Sequence, residues 1–143
     1  MPGYSGTPLA AKLGIREGGR VLLLSAPKNY RELVAPLPEG VVFARVLDDR
    51  VDLVHLFVRE RAKLLDELVK TLAKIRPDAA IWVSWPKKAA KVRTDITEDT
   101  IREVALPMGL VDIKVCVVDE VWSGLKLVVR KELRRPVKRQ PVQ

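Results

Sequence analysis

A chain of 143 residues with a formal net charge of +8, 48% apolar and 31% charged, has the length of one domain and the composition of a globular one. That balance excludes wholesale disorder, and no apolar run approaches the roughly 18 residues of a membrane span. The single cysteine, Cys116, has no intrachain partner, and a core of this size folds without disulfides, so a reducing, cytoplasmic setting is expected. Met1 to Gly6 lacks the basic and apolar regions of a signal peptide. The charge is uneven. Lys126 to Gln143 holds seven cations and one acid, which leaves 19 cations and 17 acids for residues 1–125. The expected organisation is therefore a nearly balanced domain over residues 1–131 and a basic tail over 132–143. The tail is a candidate for nucleic-acid or acidic-partner binding, beside the bland reading of a solvated charge run.

In chain order, Thr7 to Gly14 carries the punctuation of a short helix: Thr7 as cap, Pro8 at the first position and Gly14 as the left-handed stop. Leu9 and Leu13 pin it to the body. A turn over Arg16 to Arg20, with Gly18-Gly19, precedes Val21-Leu22-Leu23-Leu24, a continuous apolar run expected of a strand buried on both faces. The run ends at Ser25-Ala26-Pro27. A short helix is predicted over Asn29 to Leu37, a strand over Val41 to Val46 and another over Val51 to Val58. The four residues between these strands fit a hairpin, whereas a parallel pair needs a longer crossover, so both arrangements stay open. Glu60 to Ile75 is the strongest helix, with a stripe of Leu64, Leu65, Leu68, Leu72 and Ile75.

Ile81-Trp82-Val83-Ser84-Trp85-Pro86 is a buried strand stopped by proline at a sheet rim, and Lys87, Lys88, Lys91 and Arg93 follow without an acid among them. Thr97 caps a helix whose first turn holds Glu98 and Asp99, favourable against the helix dipole. Val111 to Val118 and Leu125 to Lys131 form a terminal hairpin, and Pro136 to Gln143 reads as a frayed basic end. Alternating strands and helices predict a single α/β domain with a mainly parallel, Rossmann-like sheet and a C-terminal antiparallel hairpin. In such a sheet a ligand crevice lies beyond the carboxyl ends of the strands. Pro27, Lys28, Tyr30, Trp85, Lys87, Lys88, Asp119 and Trp122 are the candidate rim residues. Aromatics beside cations and acids suit a flat polar ligand; the alternative is that both indoles simply cap the core.

Other reactive residues have plainer readings. His55, the sole histidine, alternates with Leu53 and Phe57 and belongs to packed core or rim; with no clustered ligands, no metal site is expected. Cys116 between Val115 and Val117 reads as a small hydrophobe. Neither a Gly-x-Ser-x-Gly elbow nor a P-loop is present.

Val51 to Phe57 resembles the fourth strand of the class I, S-adenosylmethionine-dependent methyltransferase fold. Arg76-Pro77-Asp78-Ala79-Ala80-Ile81-Trp82-Val83 is similar to the Lys-Pro-Gly-Gly approach to its fifth strand, and the final hairpin to strands six and seven. The resemblance implies a shortened methyltransferase topology, with strand three and a helix missing between Val46 and Val51. It also makes S-adenosylmethionine a candidate cofactor, with Asp48 and Asp49 as the nearest acids for its ribose. The glycine loop expected after strand one is replaced by Ser25-Ala26-Pro27-Lys28-Asn29-Tyr30, and no Asn-Pro-Pro-Tyr follows the fourth strand. Tyr4 to Leu9, Trp82 to Lys88 and Trp122 to Arg130 resemble a small bacterial family of unknown function. The expected role is a methyltransferase-like domain that binds a small ligand or a partner without catalysis. A methyltransferase, or a nucleic-acid binder acting through the tail, is the alternative.

Overall fold

The computed structural model describes residues 6–134. Tyr4 and Ser5 of the first quoted motif lie outside them, as do Arg135, Lys138 and Arg139 of the tail. The chain forms α1 (Leu9–Leu13), β1 (Arg20–Leu24), α2 (Tyr30–Leu33), β2 (Val42–Phe43), β3 (Leu53–Phe57), α3 (Arg61–Leu72), β4 (Ala80–Pro86), α4 (Glu98–Ala105), β5 (Leu110–Val117) and β6 (Trp122–Val129). One six-stranded sheet has the order β2-β1-β3-β4-β6-β5. The first four of these neighbours run parallel, and β6 is antiparallel to both β4 and β5.

Strand parity divides the sheet's two faces. Ile81, Val83 and Trp85 of β4, with Val54 and Leu56 of β3, join Leu64 and Leu68 of α3 and Ile101, Val104 and Ala105 of α4 in one core. Trp82, Leu53 and Phe57 join Ala10 and Leu13 of α1 and Tyr30 of α2 in the other. Side chains alternate along a strand, so each face recruits its own helices and the domain is three layers deep. Leu65, expected in the apolar stripe of α3, is 48% exposed because the helix rests on Leu64 and Leu68.

Local punctuation acts as read. Gly14 closes α1 at φ 85°, a left-handed angle that disfavours a Cβ. Thr97 and Thr100 exchange side-chain and backbone hydrogen bonds at the start of α4, a reciprocal cap. The hairpin considered for Val41 to Val46 and Val51 to Val58 does not form. Both strands lie parallel to β1 and flank it, with β1 between them. β2 is only two residues long, so the chain leaves the sheet early and residues 44–52 return it to the other end. The helix expected over Asn29 to Leu37 is one turn, Tyr30–Leu33.

The register places β3 and β4 where the fourth and fifth strands of the resemblance belong, and the β5–β6 hairpin where the sixth and seventh do. No strand intervenes between β2 and β3. No helix among the described residues is long and apolar enough to cross a membrane.

Candidate functional site

The carboxyl ends of the parallel strands converge on Ser25 after β1, Val58-Arg59-Glu60 after β3 and Lys87 after β4. The β5–β6 turn joins this rim because Pro86 lies opposite Trp122. A cleft of about 280 Å³ opens there, lined by Ser25, Phe57, Val58, Arg59, Glu60, Lys63 and Trp122. Trp122 meets Phe57 edge to face, ring centroids 5.0 Å apart, and forms an aromatic wall. Arg59 and Glu60 separate this cleft from a second of about 360 Å³, bounded also by Arg93, Thr94 and Asp95. The loop after β4 is tied back to β3 here: Thr94 Oγ1 donates to the Arg59 carbonyl at 2.7 Å, and the Arg61 amide to Asp95 at 2.7 Å.

Among the described residues, the only non-glycine positions with positive φ are Ser25 (60°) and Lys91 (55°), both in loops at this rim. A residue with a Cβ held left-handed costs about 1–2 kcal/mol. Lys28, Arg59, Lys87, Lys88, Lys91 and Arg93 form no ion pair among the described residues, while Lys63 is 3.5 Å from Glu67.

Beneath the rim lies a buried polar chain that the sequence does not announce. Tyr30 Oη is 2.9 Å from His55 Nδ1, and His55 Nε2 is 2.7 Å from Ser84 Oγ. Tyr30 is 2% exposed and the other two are fully buried. Burial drives the His55 pKa down to about 3 and the Tyr30 phenol well above its usual range. All three groups are therefore neutral, and each imidazole nitrogen has a partner. His55 also stacks on Phe57 with centroids 4.3 Å apart. The arrangement resembles a relay in its connections, but no member reaches solvent.

The predicted rim residues separate. Trp122, Pro27, Lys28, Lys87, Lys88 and Asp119 do belong to the carboxyl rim. Asp119 works as a turn former, its Oδ1 accepting the Val121 and Trp122 amides at 2.8 Å. Trp85 is 8% exposed within the core under α3 and α4, on the face opposite Trp122, so the two indoles do not share a pocket. Tyr30 is turned inward to His55. Asp48 and Asp49 are carried to the amino rim by the short β2. There the Asp48 carboxylate takes the Arg50 amide and guanidinium, and the Asp49 carbonyl faces Arg76. The hydrogen bonds from Arg50 hold the Asp48 carboxyl below its usual range. Ser84, Arg59, Glu60 and Lys63 escaped the sequence reading. The position of Lys63 in the first turn of the helix that follows β3 was the available signal.

Cys116 is half-buried, its thiol pushed up by burial against the opposing pull of Lys12 and Lys114. No group of three or more potential metal ligands occurs among the described residues.

Residues 28–131 match the family described as protein of unknown function, DUF3052. No curated protein matches. Among solved structures, the chain is similar to a SAM-dependent methyltransferase from Aquifex aeolicus, at 14% identity and a TM-score of 0.54 over 85% of this chain and 87% of that one. It is also similar to a protein of the NADB-Rossmann superfamily from Streptococcus agalactiae (9%, TM-score 0.53, 90% and 70%). Aeropyrum pernix fibrillarin, with natively bound S-adenosyl-L-methionine, follows at 16% identity and 0.51 over 81% and 69%. At these identities the likeness is one of fold: a Rossmann-like, methyltransferase-like domain.

Proposed function

The chain belongs to the DUF3052 family, and we propose that it is a methyltransferase-like domain that binds a small anionic ligand at its carboxyl rim without transferring a methyl group. The observation that carries this is the pairing of an open, cation-bordered cleft with a turn after β1 that contains no glycine. Ser25 stands in the turn where the fold would place its glycine loop. Tyr30, five residues on, is buried against Phe43, His55 and Phe57, and no acid follows β2 at the rim. These residues do not fit S-adenosylmethionine as a methyltransferase holds it. The cleft beside them offers the Phe57–Trp122 wall for a flat group, and Arg59 and Lys63 for an anion. Its volume, near the lower end for ligand pockets, suits part of a nucleotide-sized molecule.

Titration calorimetry with S-adenosylmethionine and, as a flat anionic probe, adenosine monophosphate tests the reading. Adenosine monophosphate should bind, Trp122→Ala should weaken it by about 1–3 kcal/mol, and S-adenosylmethionine should give no saturable heat. Low-micromolar binding of S-adenosylmethionine would restore the enzyme reading. Absence of binding by both would remove the cleft.

A further inference from the structure

Another cleft lies at the other end of the sheet. It measures about 390 Å³ and is walled by the turn from Gly14 to Arg20, by Asp52, Arg76 and Asp78, and by Lys126. Its acidic wall is already committed. Arg76 donates to Asp52 at 2.6 Å and to Asp78 at 2.7 Å, and the second Asp52 oxygen accepts the Arg20 amide at 2.8 Å. Burial pushes the Asp52 carboxyl up, but these hydrogen bonds and the charges of Arg76 and Arg20 outweigh it and hold the group below its usual range.

The cationic wall has no such partners. Lys126 is half-buried on β6, across from Trp82 on one side and Lys114 on the other. Its Nζ lies so close to Gly14 that an added Cβ there would stand 3.3 Å away. No carboxylate or carbonyl among the described residues hydrogen-bonds this ammonium, and none pairs with Arg16. The Lys114 ammonium is spent on the Lys12 carbonyl, 3.1 Å away. Burial, then Lys114 and Arg16, push the Lys126 pKa down. Like charges brought together and partly desolvated, without a counter-charge, are destabilising until an anion arrives.

We propose that Lys126 and Arg16, with Lys114 behind them, form a binding site at the amino rim for the phosphate group of a small molecule. A phosphate places concentrated negative charge against an ammonium and a guanidinium that line one cleft. Glu17, Asp52 and Asp78 line the remaining wall, so an extended polyanion is disfavoured, whereas hydroxyl or amine donors on a compact ligand find acceptors there. The site is independent of the carboxyl-rim cleft, and either stands if the other fails.

The test is titration of the full chain with orthophosphate and glycerol 3-phosphate, followed by heteronuclear NMR shift changes. Saturable binding should perturb Gly14, Arg16 and Lys126, with glycerol 3-phosphate the tighter ligand. Lys126→Met and Arg16→Ala should each weaken it at least tenfold, and the exposed Lys74→Met should not. Lys126→Met should also raise the melting temperature in phosphate-free buffer, because it removes an unpaired, half-buried charge. Three results would each overturn the proposal: no saturable binding, equal binding by Lys126→Met, or preferential binding of a single-stranded oligonucleotide at the same residues.

Discussion

His55 shows how a single residue sets the chemistry of the domain's centre. Its imidazole is stacked on Phe57 and bonded at both nitrogens, and burial lowers its pKa from 6.5 to about 3. The unfolded chain takes up a proton near pH 6.5, whereas the folded one resists until about pH 3. Between those values the unfolded state binds more protons, so the contribution of His55 to stability is complete above pH 6.5. It falls as the pH drops, by up to about 1.4 kcal/mol per unit. Melting temperatures of the wild type should therefore decline between pH 6.5 and 4.5. His55→Gln should be less stable at pH 7 and show a flatter decline over the same window. Parallel curves would place the acid sensitivity elsewhere. The same neutrality keeps the Tyr30–His55–Ser84 chain structural, because a buried neutral imidazole without solvent contact exchanges no proton with a substrate.

At the scale of one element, β4 explains why Trp85, expected at the rim, lies in the core instead. Trp82 and Trp85 are three residues apart, so they leave the strand on opposite faces. Trp82 is fully buried, and its indole N–H donates to the Leu13 carbonyl at 2.8 Å, fastening α1 to the sheet. Trp85 fills the core beneath α3 and α4. Both truncations to Ala should then cost about 3–5 kcal/mol, read as lowered midpoints in urea unfolding. A Trp85→Ala variant of near wild-type stability would return that indole to the rim. α4 is held from both ends of its charge pattern. Arg102 reaches across to Asp112 of β5 and back to Glu98 and Asp99, and its hydrogen bonds to Asp112 and Glu98 raise its own pKa further. The helix is thereby fixed against the β5–β6 hairpin by charge as well as by Ile101 and Val104.

For the molecule as a whole, the order β2-β1-β3-β4-β6-β5 concentrates stability in the middle of the sheet and leaves two rims with different chemistry. The carboxyl rim has cations without ion pairs and non-glycine residues at positive φ. The amino rim has the Arg76-centred network beside an unpaired Lys126. Contacts to the body continue past Lys131. The Leu133 amide donates to the Arg130 carbonyl, Arg134 Nε donates to the Val129 carbonyl at 2.8 Å, and the Leu133 side chain covers the space that Gly109 leaves for lack of a Cβ. A chain ending at Lys131 should melt about 3–5 °C below one ending at Arg134, as expected for ~1 kcal/mol in a domain of this size. Equal melting points would show those contacts to be marginal.

Much of this was legible in residues 6–134 alone. Apolar runs named β1, β3 and β4, a 3.6-residue period named α3, and Gly14 and Thr97 named two helix ends. These signals are local, and backbone sterics and capping act over a few residues. The α/β class and the carboxyl rim followed from the order of those elements. Pairing did not. That β2 and β3 both flank β1, that Asp48 and Asp49 return to the amino rim, and that Trp122 faces away from Trp85 all depend on strand register, which is set between distant segments. The Tyr30–His55–Ser84 chain spans 25 and 29 residues between its successive partners. Lys126 stands beside Gly14 only because β6 lies across from β4 under α1. Sequence periodicity could say which face of a strand a side chain takes; only tertiary packing could decide what waits for it there.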